Sequence, residues 1–356
     1  MNILLLANEL RYTCGVTNHL LHLTRGLSEN DSKKVYLICG GGNGKNRFDN
    51  INVEIIQNEG LWHKERTYLR YLSAVRFLKN FITEKNIDLI HSHSHYAANI
   101  AKTAAEKSGV ITIQTNHGLL GKEGRIKHFN ADKYIVINEH IFDHLLNNKI
   151  ASADDISFIR CGVPVPDKPP VKNNSNVRVV TASRFVKEKG LDVFINAVAQ
   201  LPDSVKAKAE FYIAGEGVLE DDLHRLNEFF NTGIVFLGSV DDMYSVLSET
   251  DVFVYPSRSD HEGFPAIITE AGANNNLVIT SDFSALGDII ENKKTGLVFK
   301  QNDFMELSEL LKNVIEDPGE YKPMAKKFYD KIKKLYSIDE MITKHSKLYE
   351  DCIKID

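Results

Sequence analysis

The sequence is poor in cysteine and lacks long hydrophobic runs. Its 356 residues include only 4 cysteines, which are scattered and form no Cys-x-x-Cys pair. This pattern argues against a disulfide framework or a zinc knuckle, and it is typical of free thiols in a reducing compartment. No segment approaches the ~18 consecutive apolar residues of a membrane-spanning helix. We therefore expect a cytoplasmic protein.

A strong charge and a glycine-based nucleotide fingerprint are also missing. The formal net charge of -5 gives no general case for nucleic-acid binding. No Gly-x-Gly-x-x-Gly motif occurs, which argues against the usual dinucleotide site. The glycine-rich stretch 39–46 lacks the Lys-Ser/Thr pair of a P-loop and has no predicted helix after it. We expect a flexible surface loop there.

Short apolar runs alternate with helical stretches along the whole chain. The first run is too short for the core of a signal peptide and predicts a buried strand. Alternating strands and helices with continuously apolar strands predict parallel sheets covered on both faces. The predicted strands are residues 3–7, 35–39, 53–56, 87–91, 110–114, 134–137, 156–160, 177–182, 210–214, 234–237, 252–255, 277–280 and 296–299.

The length and one proline-rich stretch predict two domains. A chain of 356 residues exceeds one typical core. Residues 162–176 carry four prolines and an Asn/Ser tract, which is typical of a linker. We place a first domain at 1–165, the linker at 166–176 and a second domain at 177–334. Both are predicted to be doubly wound α/β domains that face each other, with ligands in the cleft at the carboxyl ends of their strands.

One stretch has the pattern of a phosphate-binding helix start. A predicted strand ending at Tyr255 leads through a polar loop to a helix that should begin at Pro265. The free N–H groups and positive end of such a helix suit a diphosphate. Glu262 precedes the helix, and Glu270 lies roughly 7.5 Å along its axis. One carboxylate could bind a sugar and the other a ribose, although glutamates near helix starts also occur simply because the dipole favours them.

Two cations match these carboxylates. Arg184 and Lys189 flank the turn from the second domain's first strand into its first helix. Arginine and lysine beside a helix end neutralise a departing diphosphate without a metal. The alternative is that both are ordinary solvated surface charges.

The first domain offers weaker candidates. Gly15, in the turn after the first strand, would let the backbone approach a phosphate closely, or it marks an ordinary turn. His117 follows the fifth strand and could hydrogen-bond a sugar hydroxyl or a departing phosphate, or be satisfied structurally. His91, His93 and His95 would share one face of an extended strand. No carboxylate or cysteine accompanies them, so we predict cleft-lining polar groups and no metal site.

Taken together, these motifs resemble the retaining glycosyltransferases of family 4, which have the GT-B fold of two facing Rossmann-like domains. The resemblance spans nearly the whole chain and includes the seven residues between Glu262 and Glu270. The chain has Cys14-Gly15 where the family usually has Gly-Gly, and it lacks the usual proline after the second glutamate. The resemblance rests on five blocks in order, residues 183–192, 213–217, 236–240, 262–270 and 294–298.

The resemblance implies a role for each candidate residue and a closing helix at 335–356 that packs back on the first domain. The implied donor-site contacts are Arg184 and Lys189 to the diphosphate, Val240 to the base through its backbone, Glu262 to the sugar, Gly263 and Phe264 through backbone N–H groups, Glu270 to the ribose, and Gly15 and His117 from the first domain.

The implied activity is retaining, metal-independent and cofactor-free hexosyl transfer from a UDP- or GDP-sugar. The acceptor would be a glycan, a lipid-linked or a small molecule, in bacterial surface-polysaccharide synthesis. The alternatives are a sugar-nucleotide epimerase, a non-catalytic nucleotide-sugar-binding protein, or a glycoside hydrolase using Glu262 and Glu270. Basic residues at 64–79 and 322–334 could contact anionic lipids at the inner face of a membrane, or be solvated helix faces.

Overall fold

A computed structural model describes residues 1–12, 14–118, 131–258, 264–283, 286–287 and 289–353. The chain divides into two compact units. The first domain consists of Met1–Gly162 together with Ile338–Asp356, and the second domain is Val163–Ser337.

The first domain is built on a seven-stranded sheet in the order β3-β2-β1-β4-β5-β6-β7. Every neighbouring pair in it is parallel. Its strands are β1 (Asn2–Ala7), β2 (Lys34–Cys39), β3 (Glu54–Gln57), β4 (Leu89–Ser92), β5 (Ile111–Asn116), β6 (Lys133–Val136) and β7 (Ile156–Phe158).

The second domain has a six-stranded parallel sheet in the order β10-β9-β8-β11-β12-β13. Each predicted apolar run corresponds to a strand, so the prediction of two doubly wound parallel-sheet domains is confirmed. The strands are β8 (Val177–Ala182), β9 (Ala209–Ala214), β10 (Val235–Gly238), β11 (Val252–Tyr255), β12 (Leu277–Ser281) and β13 (Leu297–Phe299).

In the described parts of the chain, α-helices connect most successive strands and cover the sheets. Among the described residues, no helix is both long and apolar enough to cross a membrane. The helices are α1 (Gly15–Ser28), α2 (Tyr68–Glu84), α3 (His95–Ala105), α4 (Glu139–Asn147), α5 (Leu191–Ala199), α6 (Asp203–Lys206), α7 (Glu220–Phe230), α8 (Met243–Ser248), α9 (Ala266–Ala273), α10 (Phe304–Glu316), α11 (Pro318–Leu335) and α12 (Ile338–Ile353).

The central strands of each sheet are buried on both faces, as continuously apolar strands require. In β1, Leu5 packs in the apolar cluster that includes residues of α1 and α12, whereas Leu4 packs with α2 and α3 on the other face. In β8, Val179 and Val180 divide between the two faces of the second sheet in the same way. Full burial of one such side chain stabilises the fold by about 1.5–3 kcal/mol.

The last helix belongs to the first domain. In α12, Met341 and Tyr349 are buried in the same apolar cluster as Leu20 and Leu23 of α1. The two helices approach closely, since a Cβ on Gly26 would lie 2.5 Å from the Ile342 side chain. The core of the first domain is therefore completed by residues from the far end of the chain.

The proline-rich stretch after residue 162 packs against the second domain. Tyr244 donates a hydrogen bond to the Pro164 carbonyl at 3.1 Å, and Tyr329 donates one to Pro166 at 2.6 Å. The Lys172 ammonium donates to the Asn275 carbonyl at 3.0 Å. These contacts fix the path of the chain as it enters β8.

The glycine-rich stretch 39–46 is a packed turn, so the expectation of a flexible surface loop was wrong. Leu10 donates its N–H to the Gly41 carbonyl and accepts from the Gly44 N–H, both at 2.9 Å. Gly42 has φ +118°, and a Cβ there would lie 2.0 Å from the Leu10 carbonyl oxygen. The glycines allow two backbone segments to touch, a role that motif comparison does not reveal.

Replacing Gly42 should therefore destabilise the first domain. We expect Gly42→Ala to lower the free energy of unfolding by more than the ~1–2 kcal/mol of left-handed backbone strain alone, because its Cβ also meets a backbone oxygen. Urea unfolding followed by circular dichroism measures the loss.

Gly109→Ala is the matched control for this variant. Gly109 also has positive φ (+72°), but a Cβ there meets nothing within 4 Å. Equal losses in the two variants would show that steric contact at Gly42 is unimportant.

Candidate active site

The turn after β8 is bonded to the chain that leaves β11. The two strands are parallel neighbours, so their carboxyl ends lie side by side. The Glu188 carbonyl accepts the Arg258 N–H at 2.7 Å and the Ser257 hydroxyl at 3.2 Å. Gly190, at φ +65°, passes so close that a Cβ would lie 2.0 Å from the Pro256 oxygen. These contacts hold the two turns as one unit.

An ion pair extends this connection to α5. Both terminal nitrogens of Arg258 donate to the Asp192 carboxylate, at 2.8 and 2.6 Å, in a two-point geometry that restricts both side chains. Asp192 lies in the first turn of α5, where an acidic group is also favoured by the helix dipole. Sequence reasoning missed Arg258, because no spacing rule relates it to Asp192.

The two predicted cations lie in this turn. The Lys189 ammonium donates to the Tyr255 hydroxyl at 2.9 Å and lies 5.4 Å from the centre of that ring. This places a positive charge at the carboxyl end of β11. Arg184 is exposed, and within the described part of the chain its guanidinium has no carboxylate partner. Its charge is therefore open to a ligand.

The turns after β9 and β10 continue the same edge of the sheet. Gly215 lies against the β8 turn, since a Cβ on it would be 1.9 Å from the Ser183 oxygen. Phe185 donates its N–H to the Glu216 carbonyl at 2.8 Å, and Gly215 donates to Gly238 at 2.7 Å. Val240 follows two residues later and is partly buried in the adjoining apolar cluster. Its backbone lies in the turn that leaves β10.

The helix starts one residue later than predicted. Helix α9 begins at Ala266, with Pro265 as the residue that precedes its first turn. Phe264 is partly buried, and its ring stacks on Tyr336 with centroids 6.0 Å apart. Glu262 and Gly263 lie outside the described residues. Their roles stay predictions.

Glu270 lies in the interior of α9. Burial raises the pKa of its carboxyl group to about 7. Among the described residues, no hydrogen bond or ion pair involves this carboxylate. Burial, and then the charge of Glu270, raises the pKa of Tyr244, which shows that these two side chains are neighbours. Within that part of the chain the Glu270 carboxyl group thus has no partner, and its raised pKa brings its ionisation into the neutral range.

In the first domain, Gly15 begins α1. A Cβ on Gly15 would meet nothing within 4 Å, so the backbone there faces open space. Cys14, the residue before the helix, makes no side-chain cap hydrogen bond. A ligand could therefore approach the N–H groups of the first turn.

His117 follows β5 and joins a cluster of imidazoles. Its Nε2 lies 3.1 Å from Nδ1 of His93. The imidazole of His91 is held between the Tyr349 hydroxyl at 2.6 Å and the Thr115 hydroxyl at 2.7 Å. The cluster, termed the histidine cluster below, consists of His19 on α1, His91 on β4, His93 after β4, His117 after β5 and His345 on α12.

The histidine cluster is uncharged near pH 7. Burial is the largest cause that lowers the pKa of every member, and for most of them neighbouring imidazoles add to the effect. The pKa falls to about 3 for His117 and about 4 for His345. His117 can therefore donate from one ring nitrogen and accept at the other, but it does not act as a cation.

The expectation that His91, His93 and His95 share one face was wrong. Strand β4 ends at Ser92, and the chain turns so that His95 becomes the first residue of α3. His95 lies 2.5 Å from the Gln114 amide instead. The partners of His93 come from distant segments that strand periodicity cannot identify.

Each half of the chain matches a family model of glycosyltransferases. Residues 13–165 match the family model "Glycosyltransferase Family 4", and residues 166–335 match "Glycosyl transferases group 1". An uncharacterized glycosyltransferase of Methanocaldococcus jannaschii is 24% identical, with 99% of this chain and 98% of the relative aligned.

A second relative matches only part of the chain. It is the GDP-mannose-dependent monoacylated alpha-(1-6)-phosphatidylinositol monomannoside mannosyltransferase of Corynebacterium glutamicum, 31% identical over 47% of this chain and 44% of its own length. Among solved structures, Anabaena HepE in complex with UDP and glucose has the same fold, with a TM-score of 0.80, 16% identity, and coverage of 99% and 100%. The chain therefore belongs to the glycosyltransferases, and its two Rossmann-like domains form the GT-B fold.

Proposed function

We propose that the protein is a retaining glycosyltransferase that moves a hexose from a UDP- or GDP-sugar to an acceptor hydroxyl. The observation that carries this proposal is the joining of the β8 and β11 turns by the Glu188 carbonyl and the Arg258–Asp192 ion pair. It holds Lys189 at the end of β11, on the chain that leads to Glu262 and α9. A cationic turn beside a helix start suits a diphosphate.

The chemistry follows from charge development on the leaving group. The bond from the anomeric carbon to the diphosphate oxygen breaks, and its electron pair remains on the diphosphate. Lys189, Arg184 and the first N–H groups of α9 would stabilise that charge, which is the main source of rate in such a step. These groups supply the compensation that a bound cation gives elsewhere, so we propose transfer without a metal or cofactor.

Retention of configuration in a single displacement requires the acceptor oxygen to attack from the face that the diphosphate leaves. In the proposed reaction the acceptor hydroxyl passes its proton to a departing phosphate oxygen as the new glycosidic bond forms. His117, neutral at pH 7, would hydrogen-bond a donor-sugar hydroxyl, and Gly15 would let the α1 backbone approach the phosphates. Glu262 would bind the sugar, with Gly263 and Phe264 offering backbone N–H groups.

The nucleoside would be held by the second domain. Val240 would meet the base through its backbone, and the carboxylate of Glu270 would accept hydrogen bonds from the ribose hydroxyls. UDP and GDP remain the two proposed bases. The Corynebacterium relative is named as GDP-mannose-dependent, and the Anabaena structure contains UDP.

We propose a lipid-linked or glycan acceptor, in bacterial surface-polysaccharide synthesis at the inner face of a membrane. The start of α2 supports membrane contact because it exposes Tyr68, Leu69 and Leu72, which are 75%, 77% and 44% accessible. Arg76 and Lys79 continue this exposed face. Apolar side chains beside cations are what an anionic bilayer surface binds.

Incubation with labelled UDP- and GDP-sugars, with and without lipid-linked and soluble acceptors, tests the proposed reaction. We expect a new glycoside whose anomeric configuration, read by proton NMR, matches that of the donor. Sugar altered in the absence of acceptor would instead support an epimerase, and binding without any turnover would support a non-catalytic protein.

Replacement of Lys189 should selectively reduce transfer. We expect Lys189→Ala to lower kcat/KM by about 10²–10³, the usual cost of removing one stabilising group from a developing anion. Lys187→Ala is the control, because that side chain is exposed on the same turn and the Lys187 carbonyl, which the substitution keeps, is the group that accepts from Arg258. Similar rates for the two variants would contradict the assignment of Lys189 to the diphosphate.

Replacement of Glu270 should raise the stability of the fold and weaken the binding of nucleotide-sugar. In the folded protein its pKa is raised from 4.5 to about 7. The free energy of unfolding is therefore highest below pH 4.5, where the carboxyl group is protonated in both states, and it decreases as pH rises through 7. Glu270→Gln removes this loss, and we expect it to be more stable than the wild type at pH 8 by up to about 3 kcal/mol.

The same variant should bind nucleotide-sugar less tightly. Wild-type affinity, measured by calorimetry, should rise between pH 6 and pH 8 as the carboxylate ionises, whereas that of Glu270→Gln should be weaker and flat. The diphosphate of a nucleotide-sugar does not titrate in this range. A stabilised variant with unchanged affinity would show that Glu270 does not contact the ribose.

The exposed apolar face of α2 can be tested with vesicles. We expect the double variant Leu69→Ser, Leu72→Ser to lose most of its co-sedimentation with phosphatidylglycerol-containing vesicles, because the apolar contact is removed. Phe229→Ser is the control, since Phe229 is 79% accessible on α7 in the second domain. Equal binding by both variants would rule out α2 as the membrane contact.

A further inference from the structure

Three members of the histidine cluster direct ring nitrogens toward one another. His19, His93 and His117 each offer one nitrogen, and these atoms all lie within 4.8 Å of one another. They come from α1, from the end of β4 and from the end of β5, three positions with no common sequence motif. We propose that His19, His93 and His117 form a binding site for a divalent transition-metal ion such as Zn²⁺.

Unused hydrogen-bonding capacity supports a ligand at this position. Within the described ranges, both ring nitrogens of His19 and the Nε2 of His93 are buried without a hydrogen-bond partner. Burial of one unpaired polar group typically costs about 1–3 kcal/mol. A metal ion would bind one nitrogen of each ring and so remove that cost for one nitrogen of His19.

The rings are also close to the geometry that an ion requires. Zn–N bonds are about 2.0–2.1 Å long, so two nitrogens on one tetrahedral ion lie about 3.4 Å apart. His93 and His117 already bring two ring nitrogens to 3.1 Å. The third ring, His19, has its centre 4.9 Å from that of His117. The three ligand nitrogens therefore lie within 4.8 Å of one another before any ion is bound.

The chemistry of the donor set limits the ion. Imidazole nitrogens suit Zn²⁺, Ni²⁺, Co²⁺ and Cu²⁺, whereas Mg²⁺ and Ca²⁺ require oxygen ligands. The three side chains include no carboxylate. With three protein ligands, a fourth position stays open to water or an anion.

The glycosyl transfer proposed above does not require this metal ion. The sequence predicted no metal, and the transfer step uses Lys189, Arg184 and helix N–H groups. Because His117 is also a proposed donor contact, a bound ion would withdraw that ring from the sugar. The metal should therefore act as an inhibitor rather than as a cofactor.

A cobalt titration of tag-free, wild-type protein tests the site without any donor. We expect saturation at one equivalent of Co²⁺, with the intense visible absorption of four- or five-coordinate cobalt. Zn²⁺ should abolish this absorption, and an excess of Mg²⁺ should not. A weak, non-saturating spectrum typical of six-coordinate cobalt would overturn the proposal.

Substitutions locate the ion. His19→Gln and His93→Gln should each lower cobalt affinity at least tenfold, with unchanged far-ultraviolet circular dichroism as evidence of folding. His140→Ala is the control, since His140 is an exposed histidine on α4 of the same domain. Retained affinity in both folded cluster variants, or an equal loss in the control, would overturn the assignment.

Transfer assays then test the competition between ion and donor. Saturating Zn²⁺ should slow wild-type transfer, EDTA should restore it, and His19→Gln should be insensitive. A bound ion that left wild-type transfer unchanged would overturn the inhibitory role. Because the cobalt titration needs no donor, its failure can be distinguished from failure of the proposed transfer reaction.

Discussion

Parallel pairing of strands is the constraint on which the candidate sites depend. Parallel strands end at a common edge, so side chains that follow different strands lie near one another although they are distant in sequence. In the second domain, Lys189 and Val240 lie in turns after β8 and β10, and in the first domain Gly15 and His117 follow β1 and β5. The hydrogen bonding of the sheets thus determines which polar groups share an edge.

Hydrogen bonds, an ion pair and close backbone packing then hold that edge in place. The Glu188 carbonyl, the Arg258–Asp192 pair and the close approach of Gly190 to Pro256 leave the β8 turn little freedom. A turn held this way presents its cations without reorganisation, which is what stabilisation of a leaving group requires. Glu270 is the opposite case. Its burial disfavours the ionised carboxylate, which is the form proposed to bind the ribose.

Local patterns predicted the elements of this fold but not its long-range partners. Continuous apolar runs identified the strands of the described part of the chain. The Arg258–Asp192 pair and the contact between His19 and His345 join residues that no periodicity relates. Glycine content alone also did not distinguish the packed turn at 40–44 from a mobile loop. Of the two predicted glutamates, only Glu270 lies among the described residues.

The position of α12 affects how the protein is made. Its residues leave the ribosome after the whole second domain has been synthesised, yet they complete the core against α1. Until then the nascent first domain exposes the apolar side chains that Met341 and Tyr349 later cover, and exposed apolar surface of this kind promotes aggregation. Folding of the first domain is therefore completed only after the second domain has been synthesised.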